Sequence, residues 1–192
     1  NFISAHANIG RFKTAPWNMQ GSRAGSEAKW SISVAQMFSG ANGLDVLAIQ
    51  EAGTLPATAQ PTGREFRAFG TQVVVTEHVW NIGTRLRPDL IFIYYARTDL
   101  GGNRVNLALA SRRQADEVFL LPPPTTLSRP MIGIRINNDA FFSIHALANG
   151  GADASAIVHN IDLFFQRSPT LANTNWIIMG DFNREPVDLL SS

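Results

Sequence analysis

Trp176-Ile177-Ile178-Met179-Gly180-Asp181-Phe182-Asn183 is an apolar run that stops abruptly on a glycine, a carboxylate and a carboxamide. The run Trp176–Met179 predicts a buried strand that delivers Asp181 and Asn183 to a sheet edge. Residues two apart on an extended segment point the same way, so Asp181 and Asn183 are expected to face one small volume, with Phe182 turned to the other side. A carboxylate there can orient a water or hold a divalent metal, and the amide adds a donor and an acceptor without further charge. That chemistry suits hydrolysis of an anionic substrate. The competing reading is a strand end whose Asp and Asn only close an Asx-type turn.

Working outward, two other predicted strands end on matching polar residues. Phe12–Met19 reads as a first strand carrying Asn18, although Pro16 within it cannot donate a ladder hydrogen bond and belongs at an edge or a bulge. Asp45–Gln50 is a short Val/Leu/Ile strand with Glu51 at its end. Ser26 is a candidate N-cap for a helix with Trp30, Val34, Met37 and Phe38 on one face, ended by Gly40. Thr54–Gly70, with two Pro and two Gly, reads as a long surface loop. Strands are expected at Gln72–Val79, Leu90–Tyr95, Asn103–Ser111 and Glu117–Leu121, and a hairpin joins Met131–Ile136 to Ala140–Ala146 around Asn137-Asn138-Asp139. Ala152–Arg167 reads as a helix with Ile157, Ile161, Phe164 and Phe165 inward.

The 192 residues suit a single domain, and 45% hydrophobic against 16% charged residues exclude a disordered chain. A formal net charge of +1 gives no bulk electrostatic case for nucleic acid. Its cationic residues are nearly all Arg, with Lys only at 13 and 29, which favours bidentate phosphate contacts. Zero Cys excludes disulfides, thiolate metal sites and a thiol nucleophile. No apolar run approaches the ~18–20 residues of a transmembrane helix. The start at Asn1 lacks a signal-peptide pattern and an initiator Met, as expected of a processed chain or an expressed fragment.

Strand ends at Asn18, Glu51, Asp181 and Asn183, if side by side, would gather two carboxylates and two carboxamides. Glu51 is the natural ligand for Mg²⁺, which takes only one or two protein carboxylates and keeps waters for substrate phosphate. His145, at the end of Phe141-Phe142-Ser143-Ile144, could act as an acid or electrophile, or be a core histidine. Arg104 and Arg129 sit at strand starts, where either could clamp a phosphate. Arg112-Arg113 reads as a positive rim, and His6, His78 and His159 as surface residues.

Taken in order, Trp17-Asn18-Met19-Gln20-Gly21, Ile49-Gln50-Glu51-Ala52-Gly53, Arg104-Val105-Asn106-Leu107-Ala108, Ser111-Arg112-Arg113-Gln114-Ala115-Asp116-Glu117, Ser128-Arg129-Pro130, His145-Ala146-Leu147-Ala148 and Gly180-Asp181-Phe182-Asn183-Arg184 resemble the CdtB family of the cytolethal distending toxins. More widely, they resemble the pancreatic-deoxyribonuclease-like endonuclease/exonuclease/phosphatase superfamily. The resemblance implies a four-layered α/β sandwich and a Mg²⁺-dependent endodeoxyribonuclease. It further implies a secreted toxin that reaches the host cell nucleus and cuts DNA, and that assembles with CdtA-like and CdtC-like lectin-like subunits. A phosphatidylinositol trisphosphate phosphatase on the same fold is the alternative activity, and a catalytically dead binding module the alternative class. Carried over by resemblance, Glu51 binds the metal with Asn18 nearby, His145, Asp181 and Asn183 are catalytic, and Arg104 and Arg129 grip phosphate.

Pro16 departs from the Thr usual before Trp-Asn. Family members also continue past Gly-Asp-Phe-Asn through further strands, a Leu-Asp-Tyr element and a terminal Ser-Asp-His motif. The resemblance therefore implies a C-terminally incomplete sandwich, with a bare apolar sheet edge. It also implies half an acid/base apparatus, with the carboxylate that orients His145 lying beyond the chain, so that these 192 residues are expected to be either part of a longer product or a truncated, weakly active or inactive variant.

Overall fold

A computed structural model describes residues 11–21, 26–99 and 105–183, and the backbone of 2–5. Two sheets lie face to face. The first has the order β1-β11-β10-β9-β8, from β1 (Phe2–Ala5), β8 (Glu117–Leu121), β9 (Met131–Ile136), β10 (Asp139–His145) and β11 (Asn175–Asp181). The second has the order β2-β3-β7-β6-β5-β4, from β2 (Thr14–Asn18), β3 (Val46–Gln50), β4 (Gln60–Arg67), β5 (Val74–Asn81), β6 (Leu90–Ala96) and β7 (Leu107–Ser111).

Alternation along the strands separates three apolar layers. Val46, Ala48, Leu107, Leu109, Ile132, Ile134, Phe141, Ile177 and Met179 fill the space between the sheets. Leu47 and Ile49, one residue out of phase, turn to Trp30, Val34 and Phe38 of the N-terminal helix at 26–38. Phe142, Ile144, Trp176 and Ile178 turn instead to Ile157, Ile161 and Phe165 of the long helix Ala154–Arg167. The result is helix, sheet, sheet, helix: the four-layered α/β sandwich expected.

Each sheet contains one parallel pair joined by a helix. β2 pairs parallel with β3, and β10 with β11. Parallel partners need a crossover connection, and the two outer helices supply it. The remaining pairs are antiparallel, including a hairpin whose Asp139↔Ile136 register leaves Asn137-Asn138 as a two-residue turn, with Asn137 at φ 54°.

Several expectations are corrected. Gln60–Arg67, within the expected loop, is the edge strand β4, whose mostly exposed residues and Pro61/Glu65 register shift hide any alternation. Pro16, by contrast, lies as expected at an edge, on β2, where a missing donor costs no ladder bond. Ser26 is already helical and buried rather than preceding the helix, and its hydroxyl accepts the Thr54 N–H. Arg112 is no rim: it donates to Leu44 O and Asp89 and lies over the Phe38 ring. His78 is half-buried, beside Thr76 Oγ1. The outer side of β11 is paired antiparallel by the chain's own β1, which forms that edge of the sheet.

Gly180 sets the β10–β11 contact. It pairs with Ile144, and a Cβ there would lie 2.1 Å from the Ile144 carbonyl oxygen. Backbone cannot yield as a side-chain tip can. Gly180→Ala is therefore expected to cost roughly 2–3 kcal/mol, the upper part of the overpacking range, read as a lowered urea midpoint. An unchanged midpoint would mean the two strands do not approach this closely.

Candidate active site

The inter-sheet face changes from apolar to polar at one end. Continuing the parity of Val46 and Ala48 brings Gln50; that of Phe141 brings Ser143 and His145; that of Ile177 and Met179 brings Asp181. All lie at the carboxyl ends of the two parallel pairs, which face each other across the sandwich. Open α/β sheets collect ligands at such strand ends. Pro16, Asn18, Gln50, Gly180 and Asp181 line a cleft of about 230 Å³ there.

The floor of this cleft is pinned across the sheets. Gln50 Nε2 donates to Ser143 Oγ at 3.0 Å, and that hydroxyl donates to Ile49 O at 3.1 Å. Above it, Asp181 Oδ2 lies 3.4 Å from Asn18 Nδ2 and 3.7 Å from His145 Nε2. Asp181 Oδ1 accepts the Asn183 N–H at 3.0 Å, with Asn183 at φ 53°. The Asx-type turn is thus real, and it fixes the carboxylate that meets Asn18 and His145. Asn183 has left the strand, so it does not share the Asp181 face by strand alternation. Its Nδ2 donates to Ala146 O at 2.8 Å. Phe182 is buried against the long-helix core, as expected.

Burial lowers the His145 pKa, and the Arg129 guanidinium lowers it further, while Asp181, Glu51 and Asp153 pull it back up. Neutral imidazole is therefore the resting form at neutral pH. Arg129 is held here by a 3.3 Å bond from Nη1 to His145 O.

Glu51 follows β3 at φ 50°, a conformation that costs a non-glycine residue about 1–3 kcal/mol and is retained where surroundings enforce it. The enforcement is visible. Glu51 O accepts the Gly21 N–H, Ala52 N donates to Asn106 O, and Trp30 Nε1 donates to Ala52 O. Gly53 O accepts from Asn106 Nδ2 and the Tyr95 hydroxyl, whose pKa burial pushes up to about 12. Lys29 ties down the other loop, donating to Met19 O and Gln20 O. The middle of the N-terminal helix, Lys29–Val34, is wound as a π-helix, a form often found beside functional sites.

Residues 17–191 match the Endonuclease/Exonuclease/phosphatase family. The chain is 48% identical over 187 residues to the CdtB homolog of Salmonella typhi, covering 97% of this chain and 69% of that one. It belongs to the CdtB family of cytolethal distending toxins. The CdtB of Escherichia coli is 49% identical over 187 residues, with 96% and 69% covered. A solved structure of the Haemophilus ducreyi cytolethal distending toxin superposes with a TM-score of 0.89 at 48% identity, covering 95% of this chain and 70% of that one.

For this CdtB-family chain, the structure gathers Asn18, His145, Asp181, Asn183 and Arg129, and it places Glu51 near enough for its charge to be felt at His145. Arg104 and His6 lie outside the described residues. Gln50, Ser143 and the Asn106–Tyr95 brace were missed as working residues. For Gln50 and Ser143 the usable signal was a polar residue on the core parity of a strand.

Among the described residues no group of three His, Cys, Asp or Glu could enclose a metal. The donors present do fit Mg²⁺, which needs one or two carboxylates rather than a closed cage. The half-buried Glu51 carboxylate takes no hydrogen bond or ion pair among the described residues, so it is free to be a ligand.

Proposed function

We propose that this chain is a Mg²⁺-assisted endodeoxyribonuclease, the catalytic part of a secreted toxin that acts in the host nucleus and assembles with CdtA-like and CdtC-like subunits. The observation that carries the reading is Asp181 Oδ2, set between Asn18 Nδ2 at 3.4 Å and His145 Nε2 at 3.7 Å in an open cleft. Glu51 would hold the ion, with Asn18 beside it. When bound, Mg²⁺ supplies charge stabilisation at the phosphate and leaving oxygen.

The chain's own groups do the rest. Asp181 accepts a hydrogen from the attacking water and aims it. Neutral His145 exchanges a proton at Nε2 with the reacting oxygens. Arg129, and Arg104 by family resemblance, draw the phosphate in. Asn183 holds Asp181 in its rotamer through the N–H bond to Oδ1.

Nicking of supercoiled plasmid tests this directly. Mg²⁺ should support nicking and EDTA abolish it, and Glu51→Gln should raise the Mg²⁺ needed for half-maximal rate roughly tenfold or more. Phosphate release from the soluble phosphoinositide head group, without nicking, would select the phosphatase alternative. A folded protein with neither activity at any Mg²⁺ concentration would select the binding module.

A further inference from the structure

Asp153 occupies the position just before the long helix Ala154–Arg167, with φ −98° and ψ 1°, yet its side chain makes no capping bond. An aspartate there ordinarily accepts an N–H of the helix's first turn, a bond worth about 1 kcal/mol. Instead the carboxylate turns to the strand exit below, where Oδ1 accepts the Leu147 N–H at 2.8 Å, two residues after His145. The residue is 2% exposed. Its other oxygen, Oδ2, is buried without a hydrogen-bond partner, and so is Nδ1 of His145. Two orphan polar atoms of complementary kind, a carboxylate oxygen and an imidazole nitrogen, thus belong to residues on the same strand exit, Asp153 bonded to Leu147 N and close enough for its charge to act on His145. Burying either unpaired costs about 1–3 kcal/mol, and a buried water with two such partners removes both penalties.

We propose that Asp153 is the positioning carboxylate of His145: through one bridging water its Oδ2 receives the Nδ1–H of the imidazole, leaving Nε2 as the nitrogen that exchanges a proton at the site. This deepens the hydrolytic reading above and rests on it. It assigns to this chain's own residue the orienting role that the family resemblance placed beyond Asn183. Asp181 cannot take that role, because its Oδ2 lies on the Nε2 side of the ring. The charged groups acting on His145 are Arg129, Asp181, Glu51 and Asp153, and of the three carboxylates only Asp153 has a buried oxygen without a partner.

Asp153→Asn is the discriminating change. The Leu147 N–H keeps the amide oxygen on its side, so the NH₂ group is presented where Oδ2 had accepted. Long-range ¹⁵N–¹H correlation on the ring nitrogens can follow His145, one of 4 histidines in the chain. The wild type is expected to show the Nδ1-protonated neutral tautomer. Asp153→Asn is expected to lose it, with the His145 titration midpoint moving further down because a carboxylate that favours imidazolium is gone, and with kcat/KM for nicking falling roughly tenfold.

An Nε2-protonated wild type would overturn the assignment, and that observation stands even if the variant fails to fold. So would a folded variant with unmoved tautomer and midpoint. The spectra need no turnover, so the two readings separate. A shift without any DNA cleavage keeps Asp153 as the positioning group and overturns the nuclease reading; cleavage with an unmoved spectrum does the reverse.

Discussion

Asp181→Asn is expected to lower Mg²⁺-dependent plasmid nicking by roughly 10³-fold, within the range for removing a positioned acid/base group. The change keeps the shape of the side chain, and an amide oxygen can still accept the Asn183 N–H now held by Oδ1. What disappears is the charge and acceptor at Oδ2, which faces Asn18 and His145 at 3.4 and 3.7 Å. An amide nitrogen there would meet the donor Nδ2 of Asn18 and could no longer accept a hydrogen from water. A loss of kcat with unchanged melting temperature fits this. Equal loss in Asp181→Asn and in the shape-changing Asp181→Ala would locate the effect in the charge, while retained nicking in Asp181→Asn would remove Asp181 from the mechanism.

How much of this was legible beforehand depended on whether a residue's role lay in its strand parity or in a partner from elsewhere in the chain. The apolar runs of β3, β10 and β11 read directly, since each alternate residue is committed to one of two covered faces. β4 did not, because six of its eight residues are exposed and an edge strand need not alternate. Glu51 and Asp181 stood out as carboxylates at the ends of apolar strands. Asn183 was placed correctly beside Asp181 but for the wrong geometric reason: a left-handed turn, not continued strand, brings it there. Asn106, Tyr95 and Lys29 hold the loops from 53, 42 and 9–10 residues away in sequence, and no local spacing announces such a brace. Asp153 read as part of the helix Ala152–Arg167, whereas it precedes the helix, and its turn toward the His145 strand exit is visible only once both chain ends of the crossover are in place.

His145→Gln is expected to cut nicking by about 10²–10⁴-fold, the span typical of a general acid or base. The pH dependence carries the sharper information. Burial and Arg129 hold the imidazole pKa below the ordinary 6.5, so the neutral, proton-accepting form persists into mildly acidic solution. The acid limb of kcat/KM should therefore lie below pH 6.5, with activity rising as pH increases through it. Arg129→Gln removes a lowering influence and should move that limb to higher pH, opposite in sign to the shift from removing Asp153. Stability follows the same group. The folded state resists the proton that the unfolded chain accepts near 6.5, so no penalty exists above that pH, and stability is lost as pH falls from 6.5 through the folded value. His78, lowered by burial against the opposing pull of Glu77, adds loss in the same direction. Chemical denaturation of His145→Gln between pH 7.5 and 5 should show a shallower decline than the wild type. A wild-type limb above 6.5 that Arg129→Gln leaves in place would assign the titration to another group.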